Sequence, residues 1–188
     1  MTAENSDSRS VEVRQTPELA QELEQAVDLL RQQQADLFQA GKSGANWLFW
    51  VAALSLVNST ITLFGGDTRF VVGLAVTTVA DAVAKVTAER EPDIASVVMT
   101  VAIAFSLFVS GLFAGAGWLA RKRFNFVFAF AMFVYLLDGA LCLFFGDVMS
   151  AGFHAFALFC MWGGFNAFRK LRASEESVEM MRQYGVNV

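Results

Sequence analysis

An all-α, polytopic membrane helix bundle is the fold class this sequence predicts, on three observations. Hydrophobic residues make up 55% of the 188, with 19 phenylalanines, and mean hydropathy is +0.46. The apolar residues fall in long runs, not in the spaced stripes of a soluble amphipathic domain. The runs are separated by basic clusters at one set of ends and by Gly-Asp turns at the other. Four transmembrane helices are expected, at about 47–64, 94–120, 124–145 and 149–168, with a short helix over 70–84.

The hairpin from Phe124 to Phe168 anchors the topology. Each arm is long enough, at about 1.5 Å per residue, to cross a hydrocarbon core of roughly 30 Å. Arg121-Lys122-Arg123 precede the first arm and Arg169-Lys170-Leu171-Arg172 follow the second, while the link Phe145-Gly146-Asp147-Val148 holds no Lys or Arg. Positive charge stays on the cytoplasmic side, so both outer ends are expected there. Phe124, Phe126, Phe128 and Phe130 alternate as in a strand, but a run of this length in such company predicts helix.

Residues 1–15 are polar and aperiodic and predict a disordered leader. Thr16-Pro17-Glu18 is a helix start, with Thr as N-cap and Pro in the first turn. Leu19, Leu23, Ala26, Leu30, Gln33 and Leu37 recur at heptad spacing, and Gly41 offers a stop. The expectation is a cytoplasmic amphipathic helix lying on the membrane surface or on its own membrane domain, with self-association the alternative. Domain organisation follows as 1–45 leader and helix, 46–172 membrane domain, and 173–188 cytoplasmic tail, the tail capped by Ser174.

Trp47 to Phe64 is the first span, ended by Gly65-Gly66-Asp67. The next run, Phe70 to Ala84, is short and contains Asp81. If it crossed from a cytoplasmic N-terminus, both basic clusters would fall outside. It is therefore expected to be interfacial or re-entrant, with the acidic loop 85–93 outside. A five-span chain with its N-terminus outside is the alternative. In the second span Gly111 and Gly115, four apart, predict close helix packing within the chain, or a homodimer face.

Asp138 and His154 lie eight and seven residues from the outer turn, about 12 Å and 10–11 Å deep. A lone carboxylate in lipid costs on the order of 3 kcal/mol, so Asp138 seeks a partner, and His154 is the sole histidine available. Tyr135 and Cys142 share the Asp138 helix face. Shifting the chain by 80 residues lays Leu56, Leu63, Phe64, Gly66 and Asp67 on Leu136, Leu143, Phe144, Gly146 and Asp147. That suggests a duplicated unit and places Asn58 on Asp138. Asn58, Asp138 and His154, with Tyr135, are thus the candidate ligand- or proton-binding residues, or else polar glue between helices.

Excluded classes are as informative. Residues 1–45 hold four Lys/Arg against eight Asp/Glu, the wrong balance for nucleic acid. One His, one Asp and a nearby Cys are thin for zinc, which takes three or four protein ligands. Gly41-Lys42-Ser43 lacks the earlier glycine of a phosphate-binding loop, having Asp36 there. Ser150, His154 and Asp138 have the residue types of a hydrolytic triad without a nucleophile elbow. No cofactor is called for, and catalysis is not expected. The partners expected are the lipid bilayer and a second copy or another membrane protein.

Tyr135-Leu136-Leu137-Asp138-Gly139, then Gly146-Asp147, then Gly152-Phe153-His154, with Asn46-Trp47 and Asn58-Ser59 upstream, resemble a pattern in small, uncharacterised four-span bacterial membrane proteins. The resemblance covers about residues 45–170. It implies a bacterial plasma membrane and carries over no activity and no site residue.

Overall fold

The computed structural model describes residues 4–63 and 73–183, with the side chains of 4–20 and of Leu63 excepted. Every regular element among them is helical: α1 (Glu4–Leu63), α2 (Ala75–Arg90), a 3-10 turn (Pro92–Ile94), α3 (Ala95–Arg121), α4 (Asn125–Phe144) and α5 (Val148–Gln183). The chain divides into two compact units, residues 40–169 and residues 1–39 with 170–188.

Within the larger unit, the α3, α4 and α5 stretches are long and apolar enough to cross a membrane. Most of each apolar window is left uncovered by the rest of the chain: 22% of it is buried in α3, 39% in α4 and 22% in α5. Phe126, Phe144 and Phe159 are among the large exposed side chains. Helices this apolar on their outer faces are compatible with lipid as their solvent, and the chain is accordingly read as membrane-embedded. The alternating phenylalanines of 124–130 lie in helix, because a 20-residue apolar run satisfies its backbone internally.

Glycine and reversed φ close the turns. α4 ends with Gly146 at φ +74°. The Gly146 N–H donates to Leu143 and the Asp147 N–H to Cys142, which satisfies two of the last carbonyls. The same pattern ends α3 with Arg123 in the left-handed position, Arg123 N–H donating to Ala120 and Phe124 N–H to Leu119. Asp147 then opens α5, its carboxylate accepting from the Ser150 N–H at 3.0 Å and the Ser150 hydroxyl at 2.6 Å.

The close helix contact is made between α1 and α5. A Cβ on Gly44 would stand 2.5 Å from the Gly164 Cα, and one on Gly164 the same distance from the Gly44 Cα. Gly41 faces the Phe168 ring, and Ala45 and Leu48 are fully buried beside it. This corrects the expectation that Gly41 ends a helix. The contact with α5 offsets the backbone entropy that glycine costs, and α1 runs on through both positions. Gly111 and Gly115 stand differently. Both lie on an exposed face of α3, where an added Cβ meets nothing within 4 Å among the described residues, so they pack against no described part of the chain. Gly117, two residues on, is the α3 glycine that faces α1, against Leu48 and Phe49.

Further along, α1 buries Ser55, Asn58, Ser59 and Thr62. These polar residues recur at helical spacing and point inward, while Trp50 and Val57 point out. The helix is therefore inside-out, as a membrane-embedded helix with a polar interior face is.

α2 departs from its predicted bounds. It runs on to Arg90, so the segment 85–90 is helix and not loop; residues 70–72 fall outside the described part of the chain. So do Phe64, Gly66 and Asp67, on which the first half of the suggested repeat rests, and the Gly65-Gly66-Asp67 stop.

The smaller unit pairs the start of α1 with the end of α5. Val27, Leu30, Gln34 and Leu37 are half-buried, as are Ser174, Val178 and Met181, while Leu23 and Leu29 are exposed. The Gln34 amide donates to the Ser174 hydroxyl at 3.1 Å. The heptad face thus meets the chain's own C-terminal segment, shifted by one position from Ala26 and Gln33. Two sequence expectations change with it. Residues 4–15 are helical, and Ser174 lies within α5 and caps nothing.

Candidate functional site

Asp138 and His154 meet in the interior of the larger unit. The His154 Nε2 lies 2.9 Å from Asp138 Oδ2, and both side chains are at most 5% exposed. The antiparallel depth count brought them to one level; Gly139 lets them touch, because a Cβ there would stand 2.9 Å from the His154 Cβ. Tyr135 stacks on the imidazole, with centroids 4.4 Å apart and planes 20° from parallel. Cys142 places its Sγ 4.0 Å from His154 Nδ1.

The remaining valences of the pair go to main chain. Asp138 Oδ2 accepts the Ala75 N–H at 2.7 Å and Oδ1 accepts the Val76 N–H at 2.9 Å. These are the first two residues of α2, whose own N-cap position, Leu74, has no side chain able to cap. The carboxylate on α4 therefore caps a helix 63 residues away in sequence, with its charge on the positive end of that helix. Ser55 completes the arrangement from α1: its Oγ accepts the Leu74 N–H at 2.7 Å and donates to the Val51 carbonyl at 2.8 Å. Every N–H at the start of α2 so far named has a partner from another element.

His154 Nδ1 lies 2.8 Å from the Ser150 carbonyl oxygen. A carbonyl only accepts, so Nδ1 carries a proton, and Nε2 and Oδ2 share one more. The pair is either imidazolium–carboxylate or its neutral equivalent, and both satisfy the same contacts. The triad order is not built, because the Ser150 hydroxyl donates to Asp147 and only its carbonyl faces His154.

Asn58 is buried on α1 against Gly73. It lines a cavity of about 520 Å³ with Thr78, Cys142, Asp147 and Ser150, alongside the Asp138–His154 pair. Tyr135 and His154 are thus in direct contact with Asp138's surroundings, and Asn58 borders the adjoining cavity.

Compared with protein-family models, with curated proteins and with solved structures, the chain matches none.

A second buried carboxylate went unused in the sequence reading. Asp81 of α2 is 1% exposed, and its Oδ1 accepts the Ser106 hydroxyl at 3.2 Å. The signal available was the spacing of Ser55, Asn58, Ser59 and Thr62 in an otherwise apolar run, which marks one face of α1 as polar. Among the described residues no group of three His, Cys, Asp or Glu is placed to hold a metal.

Proposed function

We propose that this is a four-span, non-enzymatic membrane protein, a scaffold or interaction subunit, whose Asp138–His154 pair is a structural clamp. The observation that carries the reading is the closed hydrogen bonding of the pair. Both carboxylate oxygens serve the α2 start, and both imidazole nitrogens serve groups of the same chain. A catalytic dyad leaves a vertex for its substrate; this one has its vertices taken up by the fold.

The fourth span is the later part of α1, which lies against α5 at Gly44 and reaches Ser55 beside α2. α2 is then a re-entrant helix, starting at the depth of Asp138. A helix beginning inside the bilayer has N–H groups that water cannot reach, which is the reason for a fixed anion there. Termini and basic clusters are cytoplasmic by the distribution of Arg and Lys. Glu89→Cys, at the exposed end of α2, is expected to label from outside intact cells with an impermeant maleimide. Labelling only after permeabilisation would overturn the topology.

The clamp is tested by a double-mutant cycle on purified protein with Asp138→Asn, His154→Ala and the pair. Both single variants are expected to unfold more easily, with a coupling above about 0.5 kcal/mol. Neutral or stabilised single variants would overturn the reading and favour a second one, a proton- or small-ligand-binding pair served by the adjoining cavity.

A further inference from the structure

Asp81 differs from Asp138 in one respect that matters chemically. Its Oδ2 is buried with no hydrogen-bond partner among the described residues. The Ser59 hydroxyl lies beside it, and its Oγ closes no hydrogen bond among the described residues either. Ser106 gives its hydroxyl proton to Oδ1, which leaves its oxygen lone pairs open. Oxygens from α1, α2 and α3 thus converge at one place, all three residues at least nine-tenths buried. A cavity of about 280 Å³ adjoins them, lined by Ser59, Thr60 and Ser106 together with Leu56, Met99 and Ile103.

We propose that Asp81, Ser59 and Ser106 form a binding site for a dehydrated monovalent cation of sodium size. The donor set is all oxygen, which suits a hard cation and not a soft transition metal. It carries one formal negative charge, that of Asp81, and among the described residues no titratable side chain lines the adjoining cavity. A single positive charge therefore neutralises it, whereas a divalent ion would leave a net charge buried among apolar helices. A proton on Oδ2 would neutralise the carboxylate and donate to the Ser59 oxygen, so sodium dependence at fixed pH is what separates the ion from the proton. The ion would tie α1 and α3 to α2, and the inference stands independently of the clamp.

The test is thermal unfolding of the full chain in detergent micelles at one pH and one ionic strength, with sodium, potassium or choline as the chloride salt. Sodium is expected to raise Tm over choline by about 4 °C, saturating with concentration, as a ligand of the native state does. Ser106→Ala and Asp81→Asn are expected to abolish the increment, while Gly111→Ala keeps it. If Asp81→Asn fails to fold, radioactive sodium binding decides. Wild-type protein should then bind one ion per chain and Ser106→Ala should bind at least tenfold more weakly. Equal Tm in sodium and choline, an equal shift with potassium, or a sodium increment intact in Ser106→Ala would each overturn the assignment.

Discussion

Replacing Asp138 with alanine is expected to destabilise the protein by about 3–5 kcal/mol, the range for breaking a buried charged pair by removing one partner. The loss has two parts. His154 keeps a buried ring nitrogen that faced the carboxylate at 2.9 Å. The N–H groups of Ala75 and Val76 lose the carboxylate oxygens that accept them, and the N-cap residue Leu74 offers no side chain to replace them. In lipid each orphaned N–H costs several kcal/mol, so α2 should release its first turn before it buries those groups unpaired. Hydrogen exchange checks this. Amides of Ala75 to Thr78 are expected to lose protection in Asp138→Ala while those in the middle of α3 keep theirs. Uniform protection across α2 in the variant would show that the cap does not hold the helix. Asp138→Asn should fall between, because its amide offers one acceptor oxygen and presents an NH₂ where a second acceptor is needed.

Gly164→Ala is expected to cost about 3 kcal/mol, at the upper end for overpacking. The new methyl would meet backbone, not a flexible side chain: Gly44 Cα at 2.5 Å, its N at 3.0 Å and the Gly41 carbonyl oxygen at 3.1 Å. No rotamer change relieves that clash, so α1 and α5 must move apart, loosening Ala45 and Leu48 with them. Gly44→Ala should behave alike, and the two together should cost less than their sum, since one separation of the helices accommodates both methyls. Thermal or denaturant unfolding of the three variants measures it. A strictly additive pair would indicate independent sites and overturn the shared-crossing account.

The two expectations bear differently on what was legible beforehand. The meeting of Asp138 and His154 followed from counting residues on either side of Gly146-Asp147, because an antiparallel hairpin with a short turn has its depth fixed by rise per residue. The role of Asp138 as a cap did not. Its acceptors serve α2, which lies 62 and 63 residues away in sequence, and no local pattern links a mid-helix carboxylate to a distant helix start. Gly111 and Gly115 had the spacing of a packing motif, but spacing says only that backbones are able to approach. Which glycines are used depends on which helix arrives, and α5 arrives at Gly44.

Composition and periodicity by themselves determined that this chain is all-helical with apolar helices compatible with a membrane, and placed the hairpin bounds of α4 to within one residue at each end. They did so because long apolar runs and short Gly-Asp links are local properties of the sequence. Tertiary structure alone decided the continuity of α1 through Gly41, the pairing of its start with the α5 tail at Gln34 and Ser174, and the convergence of Ser59, Asp81 and Ser106. Those features depend on which surfaces meet. Helix-breaking residues are tolerated where a neighbour packs against them, and buried polar groups are placed by the partners they reach across helices.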